Sequence, residues 1–454
     1  MSNTIKLYPE NCIIKIADLL REGNSTSDTY TLSQMPRAVS TLTNKGGDAA
    51  AFFSLISSYV DIKYINFSSN DTYSSIKPYL MYSISKNTLT SIYYPNVEKI
   101  GEGAFYSCTS LNSVYLPNCK IIGRSAFYNC KLTELDLPKV EIIYSGAFYS
   151  CASLSSISLP LCTTINSGAF RYCSNSGLIS INLPLCTYVD SYAFDFCYSL
   201  ALVSLPLCSY LGNNAFSKCS SLSSIYIPEC TTIGSSCFSW CKNLLSISTP
   251  KCNFVGSYAF ASCEKLINVN LSNCSSLGRG AFYSCSSLLS FTGNNISIVS
   301  PAIFWGCTNL TTINMSGAYN FEDWTTNGNT LYSEGAFYNC RNLESLIIDF
   351  SKITFIPSKT FYGCSKLSIL SFPIVSYLGE YTFSGCKSLS QLYLLSNSVC
   401  ILKDTSAFYN TPMSSSSYLG YYGSIYVPSS LVNSYKEATN WVTYKNRITA
   451  FVEE

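Results

Sequence analysis

The chain has 454 residues, of which only 12% are charged, with a formal net charge of +2 and no histidine. A phosphate-binding face needs clustered Lys and Arg, so this composition excludes nucleic acid as a partner. The 36 tyrosines, with abundant serine and asparagine, supply the polar surface instead.

The first residues, Met1-Ser-Asn-Thr-Ile-Lys-Leu-Tyr-Pro9, lack the basic start and apolar run of a secretory signal. No later segment approaches the roughly 18 apolar residues of a membrane span. The expectation is synthesis in the cytoplasm without a signal peptide and no membrane insertion. Residues 1–60 form a region of their own. Cys12–Gly23 has apolar residues three and four apart and a closing glycine, which predicts a helix. Thr31–Leu42 predicts a second, and the apolar run Ala49–Val60 a third that covers the open end of the adjoining domain. Ile62, Tyr64, Ile65 and Phe67 have strand-like spacing in a degenerate first turn, and Leu89, Ile92 and Tyr94 give the first clear strand.

From Gly103 onward one unit recurs: G-x-x-A-F-x-x-C-x-x-L-x-x-V-x-L-P-x-C-x-x-I-G. Its phenylalanine falls at 105, 127, 148, 170, 194, 216, 238, 260, 282, 304, 337, 361, 383 and 408, mostly 22 residues apart. A period of that size means a solenoid occupying residues 61–423. L-x-x-V-x-L is too short for a helix, is β-branched and ends at proline, so it reads as one short strand. The part after the glycine places small, aromatic and sulfur side chains at the spacing of a single helical turn. No copy buries its apolar face alone, so the strands must stack in parallel about 4.8 Å apart. The long step between Phe304 and Phe337 inserts residues 318–331, in which Tyr319, Phe321 and Trp324 would make an aromatic projection. After Phe408 the copies decay. Ile425–Pro428 is a last strand, Ser430 is placed to cap a helix reaching Thr439, and Trp441, Tyr444 and Ile448 cover the final turn, so residues 424–454 form a C-terminal cap.

The run A-F-x-x-C-x-x-L-x-x-V-x-L-P resembles the leucine-rich repeats of the BspA-like type, known also from Treponema surface proteins. The resemblance implies a right-handed leucine-rich repeat solenoid in an extracellular or surface-displayed protein that binds other proteins or host surfaces, and it implies no chemistry. The closing V-P-x-x-L-V-x-x-Y-K-x-A-x-N-W resembles the C-terminal cap of bacterial members. Near the other end, I-A-D-x-x-R-E followed by T-L-x-Q-M-P-x-A-V is similar to a short segment of phage and prophage tail-associated proteins, which implies attachment or assembly. A plain helical cap on the solenoid is the alternative reading of the same residues.

Most of the 23 cysteines occupy repeat positions. One column follows each phenylalanine, as at Cys108, Cys241 and Cys386, and another follows the strand, as at Cys119 and Cys252. A free cysteine packs as a small apolar residue with a weak S–H donor, which suits a crowded column. Zinc would need close Cys pairs or histidines, and identical parallel side chains disfavour regular bridging. No cofactor and no metal is expected.

The residues flanking the central Val or Ile of each strand should point to the concave face. They are mostly small, hydroxylated and uncharged, with Glu134 and Asp136 on one rung, and suit a neutral glycan or a polar protein surface. The candidate binding residues are Tyr115, Tyr226, Asn268, Asn270, Asn314 and Tyr393, with Phe321 and Trp324 on the insertion. Without histidine, metal spacing, a phosphate loop or a G-x-S-x-G turn, the chain reads as no enzyme. It reads as a binding protein borne on a phage or prophage virion or tail, recognising a protein or glycan on a host surface and contacting other tail proteins. A secreted or cell-surface adhesin and an intracellular interaction scaffold are the alternatives, and a homo-oligomer is compatible with all three.

Overall fold

A computed structural model describes the backbone of residues 64–66 and 75–76, and residues 89–174, 177–322, 335–414 and 422–452. The helices expected over 12–23, 31–42 and 49–60 lie outside these residues. The chain divides into two compact units, Met1–Cys208 and Ser209–Glu454, and both are parallel β-solenoids.

In the first unit the strand Tyr64–Asn66 pairs with Ser91–Tyr93, and that with Ser113–Tyr115, each residue facing its counterpart one repeat on. Glu134–Asp136 pairs with Ser156–Ser158, and Ser180–Asn182 with Leu202–Ser204, in the same parallel sense. A second series of strands went unread in the sequence. The residues x-I of x-I-G form two-residue strands, Lys99–Ile100, Ile121–Ile122, Ile142–Ile143 and Thr164–Ile165, which pair in chain order. The second member of each is buried and the first is not, the alternation that a half-buried strand imposes.

The expected helical turn resolves into consecutive tight turns. The N–H groups of Ala104, Tyr106 and Cys108 donate to the carbonyls of Gly101, Gly103 and Phe105, three residues back. Those of Gly103, Phe105 and Ser107 donate instead to Arg124, Ala126 and Tyr128 of the next repeat. Both sets are satisfied because Gly103 and Ser107 take left-handed backbone, φ 56° and 57°, and later repeats do the same at equivalent positions. These repeats of the first unit are therefore stitched together on the turn side as well as through their short strands.

Inside, the phenylalanines form a column. Phe105, Phe127, Phe148, Phe170 and Phe194 stack at ring separations of 5.2, 5.4, 5.1 and 5.3 Å. Each is fully buried, so truncating one to alanine costs about 3 to 5 kcal/mol.

The second unit repeats this plan. Ser246–Ser248 pairs with Asn268–Asn270, and Ser290–Thr292 with Thr312–Met315 and then Ser345–Ile348. Its ring column passes the long insertion intact, with Phe304 and Phe337 at 6.2 Å against 5.5 Å for Phe337 and Phe361. The column ends at Phe408, which meets Tyr444 edge-on at 5.0 Å and Trp441 at 6.0 Å. Trp441 Nε1 donates to the Cys400 carbonyl at 2.6 Å, the Tyr435 hydroxyl accepts the Cys400 N–H at 2.9 Å, and the Tyr444 hydroxyl donates to the Thr405 carbonyl. The capping helix is shorter than its sequence suggested, Val432–Glu437, and Ser430 lies in the 3-10 turn before it rather than capping it. One further strand, Ile448–Phe451, pairs with Ser424–Pro428. Ile448 thus covers the last turn as part of the sheet.

Candidate binding face

The three-residue strands set the candidate face. Their central residue goes to the core and its neighbours go to solvent, as in Ser246-Ile247-Ser248. Within each bonded set the strands are in register, Ser246 with Asn268 and Ser290 with Thr312, so their outward residues stand in columns.

In the first unit Tyr115 is half exposed, 50%, and its ring stacks on Tyr93 at 4.8 Å and 6°. The two rings form one patch beside the exposed carboxylates of Glu134 and Asp136. In the second unit Tyr226 is well exposed, 58%. Asn268 and Asn270 are both exposed, and the Asn270 amide donates to the Ser248 hydroxyl at 3.4 Å. Asn314 is half-buried and its Oδ1 accepts the Ser316 N–H at 3.2 Å.

Tyr393 proves less available. Its ring lies between Tyr426, stacked at 4.6 Å, and the edge of Phe451 at 5.8 Å, and its hydroxyl donates to Gln391 Oε1 at 3.2 Å. Phe321 requires a correction. It is 2% exposed, sits in the two-residue strand Asn320–Phe321 paired with Ile298–Val299, and meets the Phe337 ring at 6.4 Å and 87°. It occupies the buried isoleucine position of the repeat, and Ala318 is buried at the cysteine position before it. The regular fold therefore continues through 318–321, while Tyr319 points out. Trp324 lies outside the described residues.

Sequence reasoning missed an aliphatic row. Leu245, Ile267 and Leu289, each just before a strand, are exposed and held in line by N–H donation from Ile267 to Leu245 and from Thr311 to Leu289, both 2.9 Å. Ile347 and Ile369 are exposed on later strands. The adjacent buried leucines, such as Leu244, drew the repeat assignment and hid this second column.

The outward strand residues of the second unit carry no carboxylate, ammonium or guanidinium. Charges along its rims pair with each other from repeat to repeat, Lys242 with Glu264 at 2.8 Å, Lys366 with Glu344 at 2.8 Å, and Lys251 with Glu229. Exposed pairs of this kind add little stability, but they neutralise part of the charge that flanks the face.

The turn side carries another aromatic series, Tyr283, Trp305, Tyr338 and Tyr362, stacked at 4.4, 5.3 and 4.5 Å. The faces between them are taken up by this stacking, so the series staples successive turns together.

The described cysteines are all buried free thiols. Burial pushes Cys119 up to about 11 and Cys151 to about 12, far from the thiolate that nucleophilic or metal chemistry uses. Among the described residues no three His, Cys, Asp or Glu side chains converge to hold a metal ion. No helix among them is long and apolar enough to cross a membrane.

A family model for the BspA type leucine rich repeat region matches residues 74–201, 209–332 and 320–425. No curated protein matches the chain. Among solved structures, it is similar to a leucine-rich repeat protein from Bacteroides ovatus at 20% identity, over 87% of this chain and 95% of the other, with a TM-score of 0.49. A second, from Eubacterium ventriosum, is 18% identical over 78% and 89%, with a TM-score of 0.42. A leucine rich cell surface protein from Faecalibacterium prausnitzii is 22% identical over 84% and 90%, with a TM-score of 0.36.

Proposed function

This chain belongs to the BspA-type leucine-rich repeat family, whose members act as binding scaffolds, and from that premise we propose that it is a non-enzymatic adhesin whose open strand face docks on a cell surface. The observation that carries this reading is the strand face itself. In register after register it presents serine, asparagine and tyrosine to solvent on a backbone fixed by ladder hydrogen bonds. Tyrosine offers large amphipathic contact at low entropic cost, and serine and asparagine offer adaptable hydrogen bonding.

The site of action is the cell exterior or a particle that meets it. The segment I-A-D-x-x-R-E to Q-M-P, within residues 16–36, supports a form carried on a phage or prophage tail, where residues 1–60 attach and the solenoid reads the receptor. Antibodies raised against residues 89–452 should then label tails in particles released from an induced culture. Labelling of intact cells with none on particles favours the cell-surface adhesin.

Docking is tested with the full chain on envelope preparations of candidate host cells. Binding should be saturable and should weaken at least about tenfold when Tyr226 and Asn268 are both replaced by alanine, the loss expected from removing central anchors. Failure to bind any envelope preparation overturns the reading.

A further inference from the structure

We infer that the open face of the second unit, from Ser224–Tyr226 to Thr312–Asn314, is a site for an uncharged polysaccharide chain. The inference rests on the binding reading above and narrows it to one ligand chemistry.

Charge is the first reason. None of the outward residues on these strands is acidic or basic, and the rim pairs Lys242–Glu264 and Lys251–Glu229 are satisfied within the fold. About a quarter of an ordinary protein's residues are charged. Laying such a surface on this face would strip water from charges that find no partner there. An anionic polymer meets the same obstacle, since it finds no cationic column. A neutral glycan loses nothing of this kind.

The second reason is the pairing of polar and apolar columns. Ser246, Ser248, Asn268 and Asn270 present hydroxyls and amides that both donate and accept, as a sugar hydroxyl does. Beside them runs the aliphatic row of Leu245, Ile267 and Leu289. A pyranose ring has the same division, with hydroxyls around its edge and C–H groups on its faces. A row of aliphatic groups against C–H faces and a column of amides against hydroxyls satisfy both at once.

Geometry is the third. Five strands at about 4.8 Å make a strip about 20 Å long, enough for several sugar units in succession. Within the strip Ser246 is locked opposite Asn268 and Ser290 opposite Thr312 by strand register, so little ordering entropy is lost at these pairs on binding. The exposed ring of Tyr226 closes one end of the strip.

The test is affinity electrophoresis of the full chain in native gels containing dextran, mannan, galactomannan or xyloglucan, with heparin and polygalacturonate as acidic polymers. At least one neutral polymer should retard the protein, and the retardation should persist at about 0.5 M sodium chloride, where exposed charges are screened. Asn268→Ala with Asn270→Ala, and separately Leu245→Asp, should each weaken retardation about tenfold or more while leaving the thermal transition in place. Retardation by acidic polymers alone, or by none of the neutral ones, overturns the inference. Envelope binding that survives periodate oxidation but is abolished by protease also overturns it while leaving the adhesin reading intact, whereas absence of envelope binding overturns that reading itself.

Discussion

The thiol of Cys263 donates to the carbonyl oxygen of Phe238, one repeat back, at 3.2 Å, in the buried interior. The same bond recurs between Cys241 and Phe216 and between Cys285 and Phe260. Each cysteine thereby ties its repeat to the one before, and the Phe238 carbonyl also accepts the Cys241 N–H at 3.0 Å. Cys263→Ala removes a weak bond and opens a small void while the carbonyl keeps its other donor, so a loss of about 1 to 2 kcal/mol is expected. The shift of the urea midpoint at constant slope measures it. An unchanged midpoint would show that the thiol is mere filling.

The same thiols set the alkaline limit of the fold. Desolvation raises Cys119 from 9.0 to about 11 and Cys151 to about 12. Between those values and 9.0 the folded protein holds protons that the unfolded chain has released, so stability is complete below pH 9 and falls as pH rises above it. Each thiol contributes about 1.4 kcal/mol per pH unit over that window. With two columns of them, the urea midpoint should be level up to about pH 8 and should collapse by about pH 10. A flat profile across that range would contradict the burial of the columns.

Phe291 and Gly293 form a compensating pair. Phe291 stands where neighbouring strands have Ile247, Val269 and Ile313, and packs on Phe282 and Phe304 at 5.4 and 5.0 Å. Gly293 stands where they have Leu271 or Met315, and a Cβ there would lie 2.8 Å from Phe291 Cε1 and closer still to the Ile296 side chain, which stands at the usual cysteine position. Gly293→Leu alone should cost about 1 to 3 kcal/mol by overpacking. Phe291→Val clears one of the two contacts and leaves that with Ile296, so the combination should recover part of the cost, and a double-mutant cycle should return a coupling above about 0.5 kcal/mol. Additive costs would show that the two positions do not share one volume.

Gly256 is required by backbone approach. A Cβ at this position would lie 2.7 Å from the carbonyl carbon of Gly234, one repeat back, and closer still to the Ser235 nitrogen. At Gly168 the nearest atom lies at 3.9 Å and only the left-handed φ of 63° weighs against a side chain. Gly256→Ala should therefore cost about 1 to 3 kcal/mol. Gly168→Ala should cost no more than about 1 kcal/mol, since the stiffer unfolded chain offsets part of the backbone strain. Thermal melts of the two variants in parallel decide this. A larger loss at Gly168 would reverse the assignment.

Much of the fold was legible because a repeat prints the same requirements again and again. The spacing of Phe238, Phe260 and Phe282 announced an inner column, and the alternation in Ser246-Ile247-Ser248 announced which side chains face out. Asn268, Asn270 and Tyr226 are exposed as read. These are local properties of a chain with period 22 and period 2, and the residues beside Ile247, Val269 and Ile313 already read as uncharged. What tertiary structure decided depends on contacts between repeats. Two residues such as Thr232–Ile233 are too few to announce a strand until the next copy pairs with them. Left-handed backbone at Ser107, Tyr258 and Trp240 is legible in no single residue type, and is fixed because both neighbouring turns demand its hydrogen bonds. Phe321 reads as an exposed aromatic beside an insertion, yet its pairing with Val299 draws it inward. Leu245, Ile267 and Leu289 fall on an unassigned position beside the repeat leucines, and only the stacking of successive turns sets them outside as a row. A side chain's face follows from local period, but its burial follows from the neighbour that the fold supplies.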